Sequence, residues 1–105
     1  MSTLYLPGAI TAIASGKSSI DLLEYEMMAE KASSLGRAGH KVEQVMAELK
    51  AFDGGPEARL PIVKRAAEAV YAYFIQRELC GFRRHNEIIR EYQIPNEVLA
   101  RLGAR

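Results

Sequence analysis

Apolar side chains recur at steps of three and four residues along the stretch from Ile20 to Phe52. Such steps place side chains on one face of an α-helix. The stretch ends at the sequence DGGP, residues 53–56, in which a polar residue, two glycines and a proline disfavour further helix. The pattern therefore predicts one long helix over about residues 19–52.

The length of this helix bears on assembly. A helix over 19–52 is about 50 Å long, whereas a compact domain of this size has a radius of gyration of about 13 Å. We therefore expect the helix either to bend or to meet a partner. Gly36 and Gly39 mark its one weak point, since each interior glycine costs about 1 kcal/mol relative to alanine. A continuous or bent helix is favoured, and a break at these glycines is the alternative.

The remaining pattern predicts three further helices. A buried central helix is expected over about 61–80, because proline suits the first helical position and the stretch AAEAVYAYFIQ is apolar on more than one face. Gly81 ends it. A C-terminal helical pair is expected over about 84–92 and 95–102. The predicted core residues of the central helix are Val63, Ala66, Ala67, Val70, Tyr71, Phe74, Ile75 and Leu79.

No stretch alternates with the two-residue period of a strand, so the predicted fold class is all-α, a small helical bundle with a long first helix. Residues 18–105 are expected to form a single helical domain. Residues 1–17 lack periodicity and are interpreted as a partly flexible N-terminal arm. The apolar residues of the arm suit packing on the domain or on a second subunit.

Composition narrows the functional classes. The chain has 105 residues, of which 49% are hydrophobic and 26% charged, as in ordinary globular proteins. Its net charge of +1 argues against a nucleic-acid partner, because binders carry a strong basic excess. Cys80 is the one cysteine, which favours a reducing, cytoplasmic setting. No run approaches the roughly 20 apolar residues that span a bilayer, so no membrane association is expected.

Self-association is the functional feature that the pattern predicts most directly. The long helix carries adjacent methionines and a strip of small residues that would let another helix approach closely. Two-fold homodimers are the commonest oligomers, so a homodimer is the expected assembly. The predicted contact residues are Met27, Met28, Ala32, Gly36 and Gly39.

The densest polar cluster beside apolar sequence comprises Arg77, Glu78 and His85. It can anchor an anionic ligand or tie helices together, and the second interpretation is favoured because helix junctions need satisfied polar groups. Cys80 lies five residues before His85, but a nucleophilic thiol needs a nearby base that spacing alone does not establish. We therefore predict no catalytic, metal-binding or cofactor-binding residue, and the identity of any small-molecule ligand stays open.

The C-terminal segment, HNEIIREYQIPNEVLARLG, is similar to a helix-turn-helix unit, the DNA-binding pair of helices. Two positions argue against that function. Ile89 stands where a small residue is usual, and Gln93 stands where glycine is usual. Few cations follow to contact phosphates. A hairpin that caps the core is favoured, and a small DNA-binding regulator using residues 85–105 is the alternative.

Several strings resemble a family of small uncharacterised bacterial all-helical proteins, a domain of unknown function. They are LEYE at 23–26, AEKA at 29–32, LGR at 35–37 and QRELCG at 76–81. The resemblance covers about residues 19–102. It implies a bacterial, cytoplasmic protein and carries over no activity and no site residue. We therefore favour a non-enzymatic, self-associating structural or protein-interaction module over a DNA-binding regulator, and both over an enzyme.

Overall fold

The computed structural model describes residues 19–104, and this part of the chain forms helices and no strand. The helices are α1 (Ser19–Ala51), α2 (Pro56–Leu79), α3 (Asn86–Glu91) and α4 (Asn96–Leu99). The predicted all-α fold with a long first helix and shorter later ones is thereby confirmed. The arm predicted for residues 1–17 lies outside the described residues.

Helix α1 is continuous through both of its interior glycines, so the alternative of a break there is wrong. A side chain at Gly36 would meet open space, whereas one at Gly39 would lie 3.3 Å from the ring of Tyr73. The two glycines therefore have different structural roles. Gly39 permits close packing within the chain, and Gly36 is a helix residue without a neighbour over it.

Helix α2 begins five residues earlier than predicted, at Pro56 rather than Pro61. Pro56 occupies the first helical position, where the missing amide is unpaired in any case, and Gly55 precedes it with extended backbone. The amide of Arg59 donates to the carbonyl of Gly55 at 2.9 Å and closes the first turn. Pro61 then lies inside the helix, where it removes one main-chain hydrogen bond.

Helix α2 ends at Leu79, two residues before Gly81, which the sequence predicts as its stop. Gly81 has a φ of +99°. The amide of Gly81 donates to the carbonyl of Glu78 at 3.0 Å, and that of Phe82 donates to the carbonyl of Arg77 at 2.9 Å. This pair of hydrogen bonds is the Schellman motif, which satisfies the last carbonyls of a helix. The motif turns the chain back along α2 toward His85.

The chain packs as two units, residues 1–33 and residues 34–105. Of the first unit the structure describes residues 19–33, which are the first four turns of α1. The large apolar side chains of these turns, with the exception of the half-buried Leu22, are each more than half exposed. They are Ile20, Leu23, Tyr25, Met27 and Met28.

The second unit contains the hydrophobic core. Val42, Val70 and Val98 are fully buried there, one from each of α1, α2 and α4. Burying such a side chain contributes about 1.5–3 kcal/mol to stability. The other buried apolar residues are Val45, Met46, Leu49, Ile62, Val63, Ala66, Ala67, Tyr73, Phe74 and Ile94.

Three residues predicted for the core are instead exposed. Tyr71, Ile75 and Leu79 have exposed fractions of 48%, 40% and 63%, while Tyr73 is buried in their place. Periodicity does not choose a face in a segment that is apolar nearly all round, and the choice falls to packing. The phenol ring of Tyr73 fits against α1 because Gly39 has no side chain there.

Candidate functional site

The three residues of the predicted polar cluster come together at the end of α2. The guanidinium Nε of Arg77 donates to Nδ1 of His85 at 3.1 Å, and Nε2 of His85 lies 3.0 Å from Oε2 of Glu78. Nη2 of Arg77 also donates to the carbonyl of Arg84 at 2.8 Å. The cluster thus joins the last turn of α2 to the segment that leads into α3.

These contacts define which nitrogen of the neutral imidazole carries the proton. Because Nδ1 of His85 accepts a hydrogen bond from Arg77, it carries no proton. The neutral ring then carries its proton on Nε2, which donates to the Glu78 carboxylate. Both ring nitrogens are therefore engaged, and neither is open to take a proton from a substrate.

Aromatic rings complete the cluster. The imidazole of His85 stacks on the ring of Phe74 with centroids 4.1 Å apart and an angle of 5° between the planes. The guanidinium of Arg77 lies 4.8 Å from the ring centroid of Phe82, within the range of a cation–π interaction. The arrangement fixes the path of residues 80–85, which favours the interpretation that the cluster ties helices together.

His85 is not available as a base for the thiol of Cys80. Cys80 is half-buried at the C-cap of α2. A nucleophilic thiol needs a base within hydrogen-bonding reach, and the two nitrogens of His85 are already bonded to Arg77 and Glu78. Among residues 19–104 the structure also brings no three His, Cys, Asp or Glu side chains together in a set that would hold a metal ion.

A pair of tyrosines forms a contact that the sequence did not predict. The rings of Tyr73 and Tyr92 meet edge to face with centroids 6.0 Å apart. Burial, together with a hydrogen bond to Tyr73, raises the pKa of Tyr92 to about 12. Gly39 was the available signal, since a glycine inside a continuous helix often marks the close approach of a ring. The pair packs within the second unit, where the guanidinium of Arg77 lies 5.9 Å from the ring centroid of Tyr73 and the carboxylates of Glu43 and Glu91 act on Tyr92.

The C-terminal segment packs in the manner expected of a capping hairpin. Ile94 and Val98 are buried in the core, and Gln93 takes the left-handed conformation, with a φ of +54°, at the position where a helix-turn-helix unit favours glycine. Helix α4 has four residues. A recognition helix presents several side chains to the DNA groove, so this short helix adds no support to DNA binding, which stays a prediction.

An ion pair holds this segment to α2. Nη2 of Arg59 donates to Oε2 of Glu97 at 2.6 Å, and Nε of Arg59 lies within 3.3 Å of both carboxylate oxygens. The hydrogen bond from Arg59 lowers the pKa of Glu97. The acidic side chain of α4 is therefore engaged within the chain.

The predicted self-association residues fall into two environments. Met27, Met28, Ala32 and Gly36 are exposed. Gly39 is buried against Tyr73, so it contributes to packing within the chain. The exposed members retain the surface that the self-association hypothesis needs, and the hypothesis itself stays a prediction.

Fold and surfaces together define a small all-helical protein with a satisfied polar junction and exposed apolar helix faces. The chain belongs to a family of unknown function, DUF6665, whose model matches residues 8–105. The predicted resemblance to a domain of unknown function is thereby confirmed. A search of curated proteins and a search of solved structures each found no match. Within residues 19–104, no helix has the length and apolar character that crossing a membrane requires.

Proposed function

We propose that this protein is a self-associating structural or protein-interaction module whose contact surface is formed by the first turns of α1. One observation carries the proposal. Ile20, Leu23 and Met27 are spaced by three and four residues on one face of α1, and each is more than half exposed. We call Ile20, Leu23, Met27 and the adjacent Met28 the α1 patch.

The chemistry of the α1 patch is that of a contact surface. Soluble monomers rarely expose contiguous apolar patches of large side chains, because each such side chain gains free energy when a partner removes it from water. Methionine is flexible and polarisable, so it adapts to irregular partner surfaces. Half of the chain's four methionines lie in this patch.

Charge favours a second copy of the chain as the partner. Residues 19–30 contain Asp21, Glu24, Glu26 and Glu30 and no lysine or arginine. The rest of the chain therefore holds nine acidic against 14 basic residues. A partner with the same sequence supplies the positive surface that complements an acidic helix, and opposite charges across an interface favour association.

Light scattering after gel filtration tests the proposal. We expect the wild-type protein to have twice the mass of the monomer at micromolar concentration. The double variant Leu23→Glu with Met27→Glu should be monomeric with unchanged helicity, because both side chains are exposed within the chain. Ala29→Glu is the matched control, since residue 29 is exposed on the opposite side of α1 and its variant should remain dimeric.

Two outcomes would contradict the proposal. One is a wild-type protein that is monomeric at these concentrations. The other is a double variant that keeps the mass of the dimer.

A further inference from the structure

We infer that the α1 patch of one copy docks on the exposed face of α2 in a second copy. This face comprises Tyr71, Ile75, Leu79 and Phe82, and we call it the α2 face. The inference rests on the proposed function and names the surface that receives the α1 patch.

The α2 face consists of large apolar side chains that are exposed within the chain. Tyr71, Ile75 and Leu79 follow one another at four-residue steps, which places them along one side of the helix. Phe82 comes directly after the glycine that ends α2 and is also exposed. The guanidinium of Arg77 lies over its ring, and the amide of Phe82 is bonded within the Schellman motif. The face is thus held in place, and each of its four side chains remains at least 40% exposed.

Four basic side chains lie around the α2 face, together with the carboxylates of Glu68 and Glu78, of which Glu78 is bonded to His85. A cavity of about 400 Å³ beside Tyr71 is lined by Lys64 and Arg101, together with one carboxylate, Glu68. Arg83 and Arg84 follow Phe82 and are exposed. None of these four basic side chains forms an ion pair with a described residue, in contrast to Arg59 and Arg65, which are paired with carboxylates.

The α1 patch matches this surface in size and charge. Residues 20–28 and residues 71–79 each extend over about 12 Å of helix. Asp21, Glu24 and Glu26 lie beside the α1 patch, opposite in sign to the basic border of the α2 face. Pairing two α1 patches with each other would instead bring carboxylates close to carboxylates, which disfavours association.

Two-fold dimers are the commonest oligomers, so we infer that the pairing is reciprocal. Each copy then contributes its α1 patch to the other copy and receives the other's α1 patch on its own α2 face. Two identical contacts form in such a dimer. Such reciprocal contacts are the defining property of an isologous interface.

A mixing experiment tests this arrangement. The first variant is Leu23→Glu with Met27→Glu, which removes the α1 patch. The second is Ile75→Glu with Leu79→Glu, which removes the α2 face. We expect each variant alone to be monomeric, because both contacts in its homodimer are damaged. Their mixture should form a heterodimer that is weaker than the wild-type dimer, because the intact patch of the second variant meets the intact face of the first while the other contact is lost.

Native mass spectrometry of the mixture separates the possible outcomes, and circular dichroism confirms that each variant is folded. Ala58→Glu is the control on α2, exposed and several turns from the α2 face, and it should stay dimeric. A heterodimer at concentrations where each variant alone is monomeric supports the inference. If the α2 variant remains a homodimer, or if the mixture contains monomers alone, the inference is wrong while the proposed function stands.

A monomeric wild-type protein would overturn both this inference and the proposed function. If the α2 variant does not fold, Arg83→Glu with Arg84→Glu replaces it, since this change lies in the loop after α2. We then expect dimerisation to weaken at least tenfold, and unchanged dimerisation would overturn the inference.

Discussion

The two ends of α1 carry the same apolar spacing but lie in different environments. In its last turns Val42, Val45 and Leu49 are buried in the core, whereas in its first turns Ile20 and Leu23 are exposed to solvent. Helical periodicity identifies a face that gains stability when it leaves water. It does not identify the surface that covers the face, which is the same chain for the last turns and, in our proposal, a second copy for the first.

The side chains of the two ends differ in a way that fits this division. Residues 19–30 hold Asp21, Glu24, Glu26 and Glu30 and no lysine or arginine. In the last turns Glu43 and Glu48 are accompanied by Lys41 and Lys50. Net charge therefore separates the two ends where periodicity does not.

The largest expected difference in stability is between leucine-to-alanine substitutions at the two ends of α1. Leu49→Ala should lower the free energy of unfolding by about 2–5 kcal/mol, because Leu49 is buried and its truncation leaves a cavity. Leu23→Ala should change the stability of the dissociated chain by less than about 0.5 kcal/mol. Urea denaturation at a concentration below that of dimerisation measures both. If both variants lost similar amounts of unfolding free energy, the two ends of α1 would not lie in different environments as described.

The two interior glycines sharpen the comparison with a smaller effect. Gly36→Ala should raise the free energy of unfolding by about 1 kcal/mol, because the site is open and alanine is the better helix former. Gly39→Ala gains the same propensity but crowds the ring of Tyr73, and crowding of a packed core costs about 1–3 kcal/mol. Gly39→Ala should therefore be the less stable of the two in thermal unfolding. The reverse order would show that Tyr73 does not depend on Gly39.

Titration of Tyr92 reports the packing around the buried end of α1, and its effect on stability is confined to alkaline pH. The pKa of Tyr92 is raised from 10 to about 12, so the folded state favours the protonated phenol. Its contribution to stability is complete below pH 10 and is lost as the pH rises toward 12. Because the ring is only half-buried, solvent screens part of the effect. The tyrosinate absorbance of the wild type should show a late component that Tyr92→Phe lacks, and identical curves would refute this assignment.

Much of the fold could be predicted from local signals in the sequence. The DGGP sequence and Gly81 predicted the ends of α1 and α2, because chain breakers act through the backbone itself. The start of α2 was placed wrongly because two prolines both suit a first helical position, and Pro56 precedes the one that was chosen. Tyr71, Ile75 and Leu79 were misplaced because an all-apolar helix leaves the choice of buried face to its neighbours.

The polar cluster shows how far the candidate site could be predicted. Arg77, Glu78 and His85 were expected together because they form the densest polar cluster beside apolar sequence. Their chemistry depends on which nitrogen of the imidazole accepts a hydrogen bond, and spacing carries no information on that. In the structure Nδ1 of His85 accepts from Arg77 and Nε2 lies beside Glu78, which favours a structural junction over an anion-binding site.

Methionine oxidation, followed by mass spectrometry at several protein concentrations, tests the account most directly. Met28 is 70% exposed and Met46 is 9% exposed within one chain, and oxidation of methionine by peroxide follows exposure. We predict that Met27 and Met28 oxidise fast in dilute protein and become protected as the concentration rises, while Met46 stays protected throughout. If the oxidation rates of Met27 and Met28 did not change with protein concentration, the claim that a second copy covers the first turns of α1 would be contradicted.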